Sequence, residues 1–204
     1  MRRRLGRLRT AAERRLPDDG GACDSDVYGN YDYAIARNLY DCGCFYPTPK
    51  EIGQGSVAWT LEHTDARSKR FMHDLPFDLR FELADKRVRL VHGSPRRVNE
   101  YLLEDRAAST FERIARLADC DILLFGHTHE PWVREHGGVV FVNCGSVGKP
   151  KDEDSRGSFA LLEEQGRDVK LSIERVAYDA EAVAREIRQV GLPNELAGQL
   201  VRGA

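Results

Sequence analysis

The stretch ILLFGHTHEPWV (122–133) carries the strongest structural and chemical signal in the chain. Four consecutive apolar residues end at Gly126, a pattern typical of a short strand that is covered on both faces of its sheet. His127 and His129 follow directly, so a tight turn can aim their two rings at adjacent metal ions. An isolated pair of histidines would more simply be read as two unrelated surface residues.

Three further segments also place polar residues at the ends of predicted strands. HGSP (92–95) follows the apolar alternation of KRVRLVHG (86–93), and NCGSVGKP (143–150) follows GGVVFVN (137–143). GNYD (29–32) is interpreted in the same way. Because open α/β sheets bind ligands at the carboxyl ends of their strands, the polar segments are expected to lie together in the fold.

The remaining pattern favours one layered α/β domain without internal repeats. One or two helices are expected within 53–75, which Pro76 closes, and one helix over 107–118. An antiparallel pair is expected at 158–163 and 169–176, turned at Gln165-Gly166. An amphipathic helix over 180–190 has Asp179 as its expected N-cap, and a second short helix is expected after Pro193.

Composition narrows the class of protein. Charged residues make up 31% of the 204 residues and no apolar run approaches the ~20 residues of a membrane span, so a membrane partner is not expected. The formal net charge of −2 gives no support to a nucleic-acid partner. The five cysteines are an odd number without zinc-ribbon spacing, and no apolar signal segment opens the chain. These features favour a reduced, cytoplasmic protein.

The first residues, MRRRLGRLRTAAERR (1–15), differ from the rest because they contain seven arginines. Three interpretations stay open: a basic arm for nucleic acid or a membrane surface, an Arg-rich targeting helix, and sequence that does not belong to the fold. One short basic run is a weak signal for nucleic acid. We therefore divide the chain into a loop-like, Arg-rich segment (1–26) and a folded domain (27–204).

Taken together, the segments LVHGSPRRVNEYL (90–102), ILLFGHTHEPWV (122–133) and FVNCGSVGKPKDEDSR (141–156) resemble the calcineurin-like metallophosphoesterase family. The resemblance is closest to its small prokaryotic, phosphodiesterase-like members and runs from about Val27 to about Gly191. It implies a four-layer αββα sandwich with a two-metal site at the strand ends. It also implies hydrolysis of a small phosphate ester by a metal-activated water.

Carried over by motif, the resemblance implies that Asn30, His92 and His127 are ligands of one metal and that His129 is a ligand of the other. The expected ions are Mn, Fe, Ni or Zn, among which the sequence does not choose. The Tyr31–Asp32 pair stands where many family members have His–Asp, and with His92 it forms the expected catalytic group. Since a phenol has a pKa near ~10, Tyr31 would suit a good leaving group or a different proton donor.

The sequence departs from the family pattern upstream of Gly29. The Asp-x-His and Gly-Asp motifs that close the family's first two strands are not found in residues 1–28. The expectation is therefore an incomplete metallophosphoesterase domain without its first strand-helix-strand motifs, holding at most one metal ion. A non-catalytic remnant with a weak or absent metal site is the alternative function.

Three residues are candidates for binding substrate. Arg96 follows HGSP and can meet a phosphate with two hydrogen bonds, although a solvated basic pair with Arg97 is the plainer interpretation. Asn143 and Ser146 belong to a Gly-rich loop whose backbone N–H groups can help to hold an anion. Cys42-Gly43-Cys44 is interpreted as a loop with two thiols rather than a metal site, and the oligomeric state is left open.

Overall fold

The computed structural model describes residues 26–44 and 50–203. The expectations for the Arg-rich segment and for the family's first two motifs fall almost entirely outside these residues. The helices are α1 (Asn30–Ala36), α2 (Lys50–His63), α3 (Ala66–Asp74), α4 (Ala108–Ala118), α5 (Ala180–Gln189) and α6 (Asn194–Arg202). The strands are β1 (Asp78–Leu83), β2 (Lys86–Val91), β3 (Ile122–Phe125), β4 (Trp132–His136), β5 (Val139–Asn143), β6 (Gly157–Gln165) and β7 (Asp168–Val176).

Five strands form a mixed sheet in the order β1-β2-β3-β5-β4. The three inner strands β2, β3 and β5 are parallel, with Val88 opposite Ile122 and Leu123 opposite Phe141. The two edge strands, β1 and β4, run antiparallel to their neighbours. The carboxyl ends of the parallel strands therefore lie at one edge, where HGSP, GHTH and NCGS follow them.

One face of this sheet packs against α4. Phe111, Ile114 and Ala118 recur at helical spacing and are fully buried. They form one core with buried residues of the sheet, namely Val91, Leu123, Phe125, Trp132, Val139 and Phe141. The rings of Phe125 and Trp132 meet edge to face, with centroids 5.2 Å apart. The helix predicted over 107–118 is thus confirmed.

The opposite face packs against the separate two-stranded sheet of β6 and β7. Ile122 and Leu124 of β3 point to this face, whereas Leu123 points to α4, because successive strand residues alternate. The partly buried residues Ala160, Leu162 and Leu171 complete the contact. The two strands turn at Gly166-Arg167, one residue beyond the predicted position, with Gly166 at φ +67°.

The helices outside the sheet form two small apolar clusters. The first joins α1, α2 and α3 through Ala34, Val57 and Met72, and the second joins α5 to α6. Region 53–75 forms two helices because Asp65 caps α3, accepting a hydrogen bond from Ser68 N at 2.7 Å. The predicted N-cap of α5 is confirmed, since Asp179 accepts one from Ala182 N at 2.8 Å.

Three elements were not expected from the sequence: α1, β1 and β4. Both strands are at sheet edges, where exposed and charged positions weaken the apolar alternation. The expected strand directly before GNYD is not found at residues 26–29, because Asn30 instead begins α1. Strand β2 ends at Val91, so His92 lies just beyond it.

The α/β fold class predicted from the sequence is confirmed, with α4, the five-stranded sheet and the β6–β7 sheet stacked on one another. No helix within the described ranges is both long enough and apolar enough to cross a lipid bilayer.

Candidate metal centre

Three of the four predicted ligands meet at one point. His92 Nε2 lies 2.9 Å from Asn30 Oδ1 and 3.1 Å from His127 Nδ1. Each residue comes from a different element: the start of α1, the loop after β2 and the loop after β3. Asn30 is 6% exposed and His127 5%, so the meeting point is screened from solvent.

The orientation of Asn30 is set by its amide nitrogen. Nδ2 donates to the carbonyl of Cys42 at 3.2 Å and to Cys44 Sγ at 2.8 Å, which turns Oδ1 toward His92. The thiol sulfurs of Cys42 and Cys44 are themselves 2.7 Å apart. The loop interpreted as two thiols thus supports a candidate ligand.

The three converging atoms fit a divalent metal ion. Oδ1 is an acceptor only, and a single hydrogen at most can lie between the two ring nitrogens of His92 and His127. With metal–nitrogen bonds of ~2.0–2.1 Å, neighbouring ligand atoms in an octahedral or tetrahedral shell are separated by roughly 3 Å. The observed separations of 2.9 and 3.1 Å agree with this spacing.

The backbone at both loop histidines is strained. His127 has φ +67° and His129 has φ +65°, in the left-handed region that costs non-glycine residues ~1–3 kcal/mol each. The turn is held by Gly126 N, which donates to His92 O at 2.8 Å, and by Thr128 N, which donates to Gly126 O at 2.8 Å. Strain at both histidines of one turn is characteristic of functional sites.

Both loop histidines favour the neutral form. Burial, followed by the nearby charge of Lys151, lowers the pKa of His127 to about 4, while a hydrogen bond with the Asn99 backbone acts in the opposite direction. Burial and then Lys151 likewise lower the pKa of His129 to about 4. Since only neutral imidazole binds a metal, both rings are in the competent form at neutral pH.

His129 is oriented by the loop after β5. Its Nδ1–H donates to the carbonyl of Lys149 at 2.7 Å, which leaves Nε2 as the basic nitrogen. In residues 26–44 and 50–203, no three His, Cys, Asp or Glu side chains converge as a metal site. The described part of the chain therefore provides one ligand cluster, of two histidines and an asparagine, with His129 as a further candidate.

Tyr31 and Asp32 follow Asn30 on α1. Asp32 Oδ2 accepts a hydrogen bond from Gly29 N at 2.8 Å, as an acid in the first turn of a helix commonly does. Tyr31 is half-buried against the cluster that joins α1, α2 and α3. A β-carbon at Gly29 would lie 3.1 Å from His92 Nδ1 and 3.2 Å from Asp32 Oδ2. Asp32 and His92 thus border the same glycine.

Arg96 is paired within its own loop. Its guanidinium donates to Glu100 Oε2 at 3.1 Å and to Oε1, and this ion pair raises the pKa of Arg96. Glu100 also accepts a hydrogen bond from Ser94 Oγ. Arg96, Arg97, Asn99 and Glu100 line a pocket of about 320 Å³. A contact between Arg96 and substrate stays a prediction.

Asn143 and Ser146 belong to the scaffold of the loop after β5. Asn143 has no exposed surface: its Nδ2 donates to Thr128 Oγ1 at 2.6 Å and its Oδ1 accepts from Gly145 N at 3.0 Å. Ser146 Oγ accepts from Lys149 N at 2.9 Å, so that N–H group faces Ser146 rather than an anion. Their proposed roles in substrate binding have no direct support in this geometry.

Sequence reasoning missed three neighbours of the site: Tyr101, Lys149 and Lys151. The Tyr101 ring lies over His127, with centroids 4.3 Å apart. The KPK triplet (149–151) is a visible cluster of charge in a loop that follows a buried strand. Segment 143–150 was expected near the GHTH turn, but the hydrogen bond from His129 to the carbonyl of Lys149 is a tertiary contact, which no local pattern reveals.

Comparison with known proteins shows the family to which the chain belongs. Residues 24–167 match the calcineurin-like phosphoesterase superfamily domain, and the chain therefore belongs to that superfamily. An uncharacterized protein of Methanocaldococcus jannaschii is 27% identical over 195 residues, covering 87% of this chain and 74% of the relative. The family is one of phosphoester hydrolases, and its members generally bind divalent metals.

Solved structures confirm the fold. A metallophosphoesterase from Sphaerobacter thermophilus has a TM-score of 0.67 and 25% identity, covering 87% of this chain and 76% of that one. A hypothetical protein from Pyrococcus horikoshii has a TM-score of 0.73 at 24% identity, covering 88% and 73% of the two chains. The metallophosphoesterase fold expected from the sequence is thus confirmed.

Proposed function

We propose that this protein is a metal-dependent phosphoesterase that hydrolyses small phosphomonoesters or phosphodiesters with a metal-activated water. The observation that carries the proposal is the convergence of Asn30 Oδ1 and His127 Nδ1 on His92 Nε2, at 2.9 and 3.1 Å. Family membership supports this class of reaction, and the spacing of the three ligand atoms is compatible with a bound ion.

Asn30, His92 and His127 would hold the ion, and His129 would face a second position. A bound Mn²⁺, Fe²⁺, Ni²⁺ or Zn²⁺ supplies Lewis-acid activation of water and of a phosphoryl oxygen. The three ligands are neutral, so they add no Coulombic attraction to the affinity. We therefore expect at most one ion to be held by the described residues, with modest affinity.

Asp32 and Tyr31 would orient neighbouring groups or exchange protons with them. Asp32 is tied to Gly29 N beside His92, which makes it a candidate for steadying that ring or a nearby proton. Tyr31 would donate a hydrogen bond to the substrate, but a phenol protonates a leaving group poorly at neutral pH. A substrate with a good leaving group is accordingly expected.

The test is hydrolysis of bis-p-nitrophenyl phosphate and p-nitrophenyl phosphate by purified 1–204, with Mn²⁺ and with each alternative metal. His127→Ala should reduce kcat/KM at least 100-fold, because it removes one of three ligands. The matched control is His73→Ala, since His73 is exposed on α3 and should be dispensable. Equal activity in the wild type and in His127→Ala would contradict the proposal.

A non-catalytic role is the second candidate. It is favoured by the absence, among the residues described, of three converging His, Cys, Asp or Glu side chains. Metal uptake that depends on His127 but brings no turnover of either ester would support a binding protein over an enzyme.

A further inference from the structure

The segment Lys149–Lys151 runs directly alongside His129. The carbonyl of Lys149 accepts a hydrogen bond from His129 Nδ1 at 2.7 Å, and Lys151 N donates to His129 O at 3.1 Å. Pro150, between them, is buried and anchors the segment. Two lysine side chains therefore start from backbone that is bonded to a candidate metal ligand.

The ammonium groups remain close to the site. Lys151 Nζ lies 5.8 Å from the centroid of the Tyr101 ring, which itself is 4.3 Å from the His127 ring. Burial lowers the pKa of Lys149, and the charge of Lys151 lowers it further. Burial also lowers the pKa of Lys151. The two cations are thus neighbours at a partly desolvated position.

Nothing in the described ranges neutralises this pair directly. Salt bridges within 4.0 Å join Lys86 to Asp168 and Lys170 to Glu163, whereas neither Lys149 nor Lys151 has such a bridge there. Glu130 raises the pKa of Lys151 from a greater distance, and Cys44 would act on both lysines when ionised. Two half-buried cations without a paired carboxylate are costly unless an anion binds between them.

We propose that Lys149 and Lys151 form an anion-binding wall beside the candidate metal centre, which takes the doubly charged terminal phosphate of a phosphomonoester in preference to a singly charged diester. Two ammonium groups gain more from a dianion than from a monoanion at the same distance. The substrate class rests on the proposed phosphoesterase function, but the binding of the anion does not.

The experiment measures binding of inorganic phosphate and of dimethyl phosphate to purified 1–204 by titration calorimetry, with EDTA and with Mn²⁺. The double variant Lys149→Gln/Lys151→Gln should bind phosphate at least tenfold more weakly and dimethyl phosphate no more than about threefold more weakly. Lys151→Arg should keep the affinity for phosphate within about threefold, because it preserves the charge. The matched control is Lys170→Gln, an exposed lysine of β7 paired with Glu163.

Phosphate affinity within twofold of wild type in a folded double variant would overturn the inference, as would wild-type protein that binds no phosphate. The two single variants extend the test if the double variant does not fold: each should weaken phosphate binding by at least threefold, and a twofold or smaller change in both would overturn the inference.

The outcomes separate this inference from the proposed function. Lysine-dependent phosphate binding without hydrolysis of any ester would sustain the anion site and defeat the phosphoesterase. Hydrolysis that persists in the double variant, with an unchanged preference between p-nitrophenyl phosphate and its bis ester, would sustain the phosphoesterase and defeat the anion site.

Discussion

His127 and His129 show how much conformational cost is concentrated in one turn. Both have positive φ, and both are kept neutral by burial. Such a strained conformation persists only where several surrounding contacts hold it in place. Here Asn143 holds Thr128 at 2.6 Å between the two histidines, and the Lys149 carbonyl holds the ring of His129 at 2.7 Å.

Gly29 is a residue whose small size the site requires. Gly29→Ala should lower the free energy of unfolding by ~1–3 kcal/mol, because its β-carbon would lie 3.0 Å from Cε1 of a His92 ring already held between Asn30 and His127. Displacing that ring should also weaken Mn²⁺ binding about tenfold. Urea denaturation and metal titration measure the two effects.

The matched control for this change is Gly55→Ala within α2. No atom outside the local helix backbone lies within 4 Å of its β-carbon position, so alanine should stabilise that helix by ~0.5–1 kcal/mol. A Gly29→Ala protein as stable as wild type, with unchanged metal affinity, would show that the His92 ring is free to move.

At the level of secondary structure, the parallel strands bring the candidate ligands together. Strands β2 and β3 are neighbours that end at the same edge, so the loops carrying His92 and His127 emerge side by side. Helix α1 brings Asn30 to the same point from a separate cluster. The order of the strands therefore decides which motif residues can meet.

One arginine joins the edge of the sheet to the helix that covers it. Arg89 of β2 is 7% exposed and donates to Asp78 Oδ2 of β1 at 2.7 Å and to the Leu117 carbonyl of α4 at 2.9 Å. Arg89→Leu should cost ~2–4 kcal/mol of stability, because it leaves two helix carbonyls without their donor and the Asp78 carboxylate with only its longer contact to Arg80. Denaturant unfolding provides the measurement.

Arg87→Leu on the same strand is the comparison for that variant. Arg87 is exposed and pairs with Asp119 and Asp121, an arrangement that contributes little in water. Equal losses in the two variants would mean that burial of Arg89 does not matter and would contradict the assignment of a structural role to it.

At the level of the whole molecule, the sheet has two differently covered faces. Helix α4 seals one face and the β6–β7 hairpin the other, while the ligand edge lies between them. The helical cluster of α1, α2 and α3 supplies only Asn30 to the ligand group. Binding of an ion would therefore tie this cluster to the sheet.

Metal should consequently raise the stability of the whole chain. At an ion concentration 100 times Kd the gain is about 2.7 kcal/mol, or roughly 5–11 °C in Tm for a domain of this size. EDTA should reverse the shift, and His92→Ala should abolish it, whereas His63→Ala on exposed α2 surface should retain it. Thermal unfolding with and without Mn²⁺, Zn²⁺ or Ni²⁺ checks this, and a wild-type Tm unaffected by millimolar levels of all three would refute it.

Local sequence patterns were sufficient for the buried elements and for the family. Burial requires apolar residues at regular positions, and the sequence shows them. Examples are the apolar run of β3 and the helical spacing of Phe111, Ile114 and Ala118. The edge strands β1 and β4 show no such periodicity, because many of their residues are exposed to water and both alternate positions can therefore be polar.

Tertiary structure alone decided how the motif residues are used. Asn143 and Ser146 stand in a motif next to the site, yet the side chain of Asn143 bonds Thr128 and Gly145, and that of Ser146 bonds Lys149 of its own loop. Lys149 and Lys151 lie in the motif segment 141–156 but were assigned no role from the sequence, and the parallel order of β3 and β5 brings them against His129. A motif specifies which groups are available, but distance and burial decide which of them can share a ligand.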